Sequence, residues 1–154
     1  MYQRILVAVD SVQESVDSAL NGATALAGKN TEIAVLHVVE PQSIPYSVDL
    51  TFTGNVSEEL EESRLKAARR HIERLCAPFG VDGDRIHITL GRPASEIHKQ
   101  ARDLGCDLLS IASHGRHGWK RVLGSTANAV LHGTPVDVLV SKLVSNGNST
   151  KDES

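Results

Sequence analysis

The chain has 154 residues, of which 40% are hydrophobic, and this is enough for one compact domain with its own core. A net charge of −3 gives no basic field for nucleic acid, and only five side chains are aromatic, so few could stack on bases. No apolar run reaches the roughly 18 residues of a membrane span, and Met1 leads directly into a predicted strand rather than a signal peptide. We therefore expect a cytoplasmic protein that neither binds nucleic acid nor inserts into membranes. Cys76 and Cys106 lack CxxC spacing, which favours reduced, buried thiols.

The first predicted strand is followed by a helix. Ser11 and Glu14, three residues apart, match a capping box at the start of this helix. Behind them, apolar residues repeat at helical spacing; these are Val16, Ala19, Leu20, Ala23, Leu26 and Ala27.

Three further helices are predicted along the chain. The second covers about residues 57–77, with Leu60, Ala68, Ile72 and Leu75 facing inward and Glu62 four residues before Lys66 on the solvent face. The third begins at Pro93, a favoured first-turn residue, and continues to Gly105. The fourth covers about residues 125–132 and ends before Gly133.

Five apolar runs alternate with these helices, and they are nearly continuous, as expected of strands covered on both faces. They cover residues 5–9, 33–39, 85–90, 108–112 and 136–140. The alternation predicts an α/β fold with an open five-stranded parallel sheet, helices on both faces and right-handed crossovers. We expect one domain over residues 1–144 and a disordered polar tail over 145–154. Residues 41–56 are predicted to form a long loop that either covers a ligand or is simply mobile.

Two strand ends carry residues suited to ligand binding. Open α/β sheets bind ligands beyond the carboxyl ends of their strands, where the strand order reverses. The first strand ends at Asp10, and the fourth ends at Ala112 and opens into a loop from Ser113 to Ser125. If these strands are neighbours, a carboxylate and a phosphate-binding loop share one crevice. The alternative for Asp10 is a residue at the start of a helix with no ligand.

The loop after the fourth strand has the composition of a phosphate-binding segment. Gly115 and Gly118 allow backbone amides to approach an anion, and Gly124, Ser125 and Thr126 place amides and hydroxyls at a helix start. Arg116, Lys120 and Arg121 make the loop locally cationic, although a solvated basic loop is the alternative. GxxxxGK[ST], GxGxxG and GxSxG motifs are absent, and His114 and His117 have no further ligands at zinc spacing. His37 is expected in the core or the crevice.

The chain resembles the universal stress proteins from Met1 to about Leu143. The resemblance is carried by residues 2–10, by Leu36-His37-Val38-Val39, by Gly91-Arg92-Pro93 and by residues 135–140. It implies a Rossmann-like fold of the adenine nucleotide alpha hydrolase type. The nucleotide-binding branch of the family carries a glycine, two residues, a second glycine, nine residues, and then glycine with serine or threonine. Here Ala112 replaces the first glycine, and only eight residues separate Gly115 from Gly124.

The resemblance also implies roles for individual residues. Ala8, Val9 and Asp10 would line the adenosine side, with the Asp10 carboxylate available to the ribose, and Val38 would offer backbone groups to the adenine edge. The phosphates of ATP would be surrounded by Ala112, His114, Gly115, Gly124, Ser125 and Thr126, with Asn128 at the same helix start. Mg²⁺ would be held mainly by the phosphates, with no metal ligands from the protein.

Three functions remain open at this point. The leading prediction is an ATP-binding stress-response protein that acts as a nucleotide-dependent regulatory module, with at most slow ATP hydrolysis. The second is a nucleotide-free dimeric interaction module with a vestigial phosphate loop. The third, an ATP-dependent enzyme, lacks any residue assignable as a general base. We also expect a homodimer through the last strand (Val136, Val138 and Val140), since an apolar sheet edge favours pairing and the family resemblance agrees. A monomer whose edge is guarded by Lys142 is the alternative.

Overall fold

The computed structural model describes residues 1–41, 54–113 and 125–143. In the second range, side chains are described from residue 58 onward. Within these ranges the chain forms strands and α-helices in strict alternation, in the order β1 (Tyr2–Ala8), α1 (Gln13–Leu26), β2 (Ala27–Val39), α2 (Gly54–Cys76), β3 (Ile86–Leu90), α3 (Pro93–Asp103), β4 (Leu108–Ala112), α4 (Ser125–Leu131) and β5 (Asp137–Ser141). Two short 3-10 helices, Ala77–Phe79 and Gly83–Arg85, connect α2 to β3. The predicted β/α alternation is confirmed.

The five strands form one parallel sheet in the order β3-β2-β1-β4-β5. β1 is therefore the central strand, with β2 and β3 on one side of it and β4 and β5 on the other. Ala8, in the central strand, pairs with Leu36 of β2 on one side and with Ile111 of β4 on the other. The strand order reverses between β1 and β4, which confirms that these two strands are neighbours.

Successive side chains along each strand point in opposite directions, so an apolar strand has two faces to bury. Helices cover both faces of this sheet. Ile5 and Val7 of β1 pack in a core cluster with residues of α1 and α2. Leu6, between them, packs in a second cluster with residues of α3 and α4. All three β1 side chains are fully buried, so β1 is the central strand of both cores.

The predicted capping box at the start of α1 is wrong. The helix begins at Gln13, its N-cap residue is Val12, and no side chain caps it. The Oδ1 atom of Asp10 instead accepts a hydrogen bond from the Val12 N–H at 2.9 Å, which turns the chain before the helix starts. Ser11 is exposed, and its carbonyl oxygen accepts a hydrogen bond from Nε2 of His71 at 2.9 Å.

Two further expectations differ from the structure. Leu60, predicted to face inward, is 60% exposed, because α2 reaches the core only in its second half, around Ile72 and Leu75. Ala27, predicted in the first helix, begins β2 directly. Its strand start is held by Thr31, whose hydroxyl accepts from the Gly28 N–H and donates to the Tyr2 carbonyl oxygen, both at 2.7 Å.

Some sequence predictions fall on residues outside the described ranges. Most of the predicted 41–56 loop lies there, although residues 54–56 belong to α2 rather than to a loop. The predicted tail over residues 145–154 also lies outside the described residues.

Candidate functional site

A crevice opens at the carboxyl ends of β1, β2 and β4, where the strand order reverses. Six of the predicted site residues border it; they are Ala8, Val9, Asp10, Val38, Ala112 and Thr126. Ser125 and Asn128 are exposed in α4 and do not border it. His114, Gly115 and Gly124 lie outside the described residues. The structure thus brings together the predicted residues of the nucleoside side, with Ala112 and Thr126 from the phosphate side.

Asp10 lies at the centre of this crevice because β1 is the central strand and ends just before it. The Asp10 carboxylate is oriented by the hydrogen bond that its Oδ1 atom accepts from the Val12 N–H at 2.9 Å. The first turn of α1 follows at once, so the positive end of the helix dipole faces the same region. A carboxylate fixed in this way is suited to accept hydrogen bonds from the hydroxyls of a ligand.

The backbone of Val38 faces the crevice rather than β3. The Val9 N–H donates to the Leu36 carbonyl oxygen at 2.9 Å, which shows that the peptide groups of Leu36 point toward β1. Because successive peptide groups of a strand point in opposite directions within the sheet, those of Val38 also point to the β1 side, beyond the end of β1. Val39 points the other way, and its carbonyl oxygen accepts from the Gly91 N–H at 3.0 Å.

The two walls of the crevice differ in chemistry. One wall is apolar and comes from the sheet, α3 and α4, with Leu36, Pro93, Ile97, Ala127 and Val130. The polar part of the lining that comes from the start of α1 and the end of β2, which we call the polar wall, consists of Asp10, Ser15, His37 and Glu40. A flat, largely apolar ring system with polar substituents on one side matches these two walls.

His37 and Ser15 were not among the predicted binding residues. His37 was expected in the core or the crevice; it is half-buried, borders the crevice, and its Nδ1 atom hydrogen-bonds the Val9 carbonyl oxygen at 2.9 Å. Ser15 is not among the sequence predictions. It precedes Val16 on the buried side of α1, and a polar residue among apolar ones at such a position can indicate a binding residue. Sequence spacing alone does not indicate that α1 and β2 border the same crevice.

α4, which carries Thr126, is fixed against α3 by a histidine. The Nε2 atom of His98 lies 2.6 Å from the Val130 carbonyl oxygen. Since a carbonyl oxygen only accepts, the Nε2 atom carries the hydrogen and donates it. His98 carried no distinctive sequence context, because the contact joins residues that are 32 positions apart.

Two features are absent from the described ranges. These ranges contain no group of three or more His, Cys, Asp and Glu side chains that could hold a metal ion. No helix in them is long and apolar enough to cross a membrane.

Comparison with known proteins decides the family. A model of the universal stress protein family matches residues 1–142. The chain belongs to the universal stress protein family. Universal stress protein A homolog 1 of Coxiella burnetii is 33% identical over 138 residues, which cover 90% of this chain and 94% of that protein.

Solved structures of this family have the same fold. Universal stress protein MJ0577 of Methanocaldococcus jannaschii is 31% identical in sequence over 156 residues, covering 92% of this chain and 96% of that protein. Its solved structure superposes with a TM-score of 0.71, with 92% of this chain and 96% of that chain covered. A universal stress protein solved in complex with cAMP superposes with a TM-score of 0.56 at 20% identity, covering 93% of this chain and 98% of that one. At this identity the likeness shows the fold alone.

Proposed function

We propose that this protein binds ATP in the crevice between the polar and apolar walls and acts as a nucleotide-dependent regulatory module in the stress response. The observation that carries the proposal is the convergence of Asp10, the Val38 backbone and Thr126 on one crevice at the point where the strand order reverses. A relative of the same fold was solved with cAMP, which supports a nucleotide as the class of ligand.

The chemistry of the crevice favours one orientation of the nucleotide. The base contacts the apolar wall, with its edge at the Val38 backbone and the ribose hydroxyls at the Asp10 carboxylate. The phosphates extend toward Thr126, Ser125 and the loop with Gly115 and Gly124, where the sequence is cationic. Mg²⁺ accompanies ATP and is held mainly by the phosphates, since these supply the hard oxygen ligands that the ion prefers.

We further propose that the protein is a homodimer through β5. This strand is at one edge of the sheet, next to β4. The side chains of Val138 and Val140 pack against the core formed with α3 and α4, so the strand is rigidly placed at this edge. An ordered edge strand is a template for pairing with a second chain.

Two measurements test ATP binding directly. Denaturing the purified protein and identifying the released ligand by its ultraviolet spectrum and chromatography shows whether an adenine nucleotide copurifies. Calorimetric titration with ATP and Mg²⁺ then compares the wild type with Gly124→Val. A β-branched side chain at Gly124 is expected to block close approach of backbone to phosphate and to weaken ATP binding at least about tenfold, or about 1.4 kcal/mol.

Gly83→Val is the matched control for this substitution. Gly83 is exposed in the 3-10 helix before β3, and a Cβ atom there would lie 3.7 Å from its nearest neighbour, Oε1 of Glu73. This variant should bind ATP as the wild type does. Equal affinity of the folded Gly124→Val variant and the wild type would contradict the phosphate assignment. No ATP binding by the wild type would favour the nucleotide-free interaction module instead.

A further inference from the structure

Ser15 has an unusual environment for a serine. It lies in the first turn of α1, is 5% exposed, and borders the crevice as part of the polar wall. In the part of the chain that the structure describes, its hydroxyl makes no hydrogen bond to another side chain or to the backbone. Although the residue as a whole is buried, its hydroxyl oxygen keeps some accessible surface, and the crevice is the direction from which a ligand could reach it.

A second buried serine gives the comparison that makes this environment informative. Ser110, in β4, is fully buried, and its hydroxyl donates a hydrogen bond to the Ala19 carbonyl oxygen at 2.7 Å. This is the usual arrangement, because a buried hydroxyl without a partner destabilises the folded protein. Ser110 joins the sheet to α1 and has a structural role, whereas Ser15 makes no such bond to any of the described residues.

The electrostatics near Ser15 indicate what kind of group would bind there. The Asp10 carboxylate lies on the same wall, and Glu40 also borders the crevice. The Asp10 carboxylate disfavours a phosphate beside Ser15, even though the start of α1 is nearby. His37 uses its Nδ1 atom on the Val9 carbonyl oxygen, so its imidazole is already held within the protein. An uncharged hydroxyl or ring nitrogen of a ligand is therefore favoured at Ser15 over a phosphate.

We propose that Ser15 is a nucleoside-binding residue whose hydroxyl forms a hydrogen bond with the uncharged base or sugar of the ligand, not with its phosphates. This inference rests on the proposed function, because it concerns the same crevice. It assigns the first turn of α1 to recognition of the nucleoside. It leaves the phosphates to the opposite side, at α4 and the cationic loop.

Calorimetry with adenosine and with ATP tests the inference, using the wild type, Ser15→Ala and Ser110→Ala. Ser15→Ala should lower the affinity for adenosine about three- to tenfold, the usual effect of one hydrogen bond, and should lower the affinity for ATP by the same factor. Its Tm without ligand should equal or exceed that of the wild type, because alanine favours helix and the Ser15 hydroxyl makes no hydrogen bond to a described residue that the change would remove. Ser110→Ala should show the opposite behaviour, with a lower Tm and unchanged affinity.

The possible results separate the two proposals. Wild-type affinity for both ligands in Ser15→Ala would overturn the role of Ser15 and leave ATP binding standing. A loss confined to ATP, with adenosine unaffected, would also overturn it, because Ser15 would then act on the phosphates. A drop in Tm as large as that of Ser110→Ala, with affinity preserved, would assign Ser15 a structural role. If the wild type binds neither adenosine nor ATP, the proposed function is overturned, and this inference is overturned with it.

Discussion

The His98 imidazole donates a hydrogen bond of 2.6 Å to the Val130 carbonyl oxygen and thereby joins α3 to the last turn of α4. Val130 is fully buried and borders the crevice, so this bond fixes the helix that brings Thr126 to the site. With seven residues, α4 is too short to be stable by itself, and its position depends on such tertiary contacts.

We predict that His98→Phe lowers the free energy of unfolding by about 1–2 kcal/mol, because an aromatic ring remains but the donor to the Val130 carbonyl is lost. The affinity for ATP should fall as well, since α4 is held less firmly. Urea denaturation followed by circular dichroism measures the first effect. His132→Phe is the control, because His132 is exposed just beyond α4. Equal stability of the two variants would show that the bond contributes nothing.

Asp10 combines two roles that substitution can separate. Its Oδ1 atom accepts from the Val12 N–H, and an asparagine keeps an oxygen for this bond while losing the charge. We predict that Asp10→Asn lowers Tm less than Asp10→Ala does, because the bond to Val12 is kept, and weakens ATP binding several-fold, because charge-assisted bonds to the ribose hydroxyls are lost. Asp10→Ala should lower both affinity and Tm. Unchanged ATP affinity in Asp10→Asn would remove Asp10 from the binding site.

The sequence predicted the fold well because the signals are local and repeated. Alternating apolar runs and helical periods determine an α/β sheet, whereas the pairing of β1 with β4, a condition that the sequence left open, comes from the structure. The errors concern tertiary contacts. The spacing of Ser11 and Glu14 matches a capping box, yet the chain is turned by Asp10 instead. Leu60 fits the helical period of α2 but is exposed, because this part of α2 extends past the core.

The same distinction applies to the candidate site. Strand ends are visible in sequence, so Asp10 and Ala112 were predicted from them, and the family resemblance added Ala8, Val9 and Val38. Ser15 and His37 border the crevice only because α1 packs beside the end of β2, which is a relation between distant segments. A polar side chain on the buried side of an amphipathic helix was the one signal available for Ser15.

Cys76 provides a prediction on pH. Its side chain is fully buried, and this burial raises the pKa of the thiol from 9.0 to about 11. The protonated thiol makes its full contribution to the free energy of unfolding at pH values below its unfolded pKa of 9.0. This contribution is lost as the pH rises through about 11, because between these two pKa values only the unfolded chain ionises readily. In a Cys106→Ser background, we expect Cys76 to resist Ellman's reagent at pH 8 and to react promptly in guanidinium chloride. Rapid labelling of the folded protein would contradict the protonated, buried thiol.

The outer edge of β5, which pairs with no other strand of the described residues, allows a sharp test of the proposed dimer. The Ser113 N–H donates to the Ser141 carbonyl oxygen at 2.8 Å, so the peptide groups of Ser141 point toward β4. By alternation, those of Leu139 also point toward β4, and those of Val138 and Val140 point to the outer edge. The outer-edge groups are the ones that a second copy would pair with.

We therefore predict that Val138→Pro converts a dimer into a monomer while the fold is retained, because proline deletes an N–H that faces outward rather than one of the bonds to β4. Val138→Thr is the matched control, since it keeps both the N–H and the β-branched shape and should remain dimeric. Sedimentation at micromolar concentration distinguishes the 16.6 kDa chain from a species of twice that mass. A wild type that sediments as a monomer with and without ATP would end the dimer proposal. A Val138→Pro variant that stays dimeric would place the interface elsewhere, because one missing donor in a short ladder should cost a large share of the pairing.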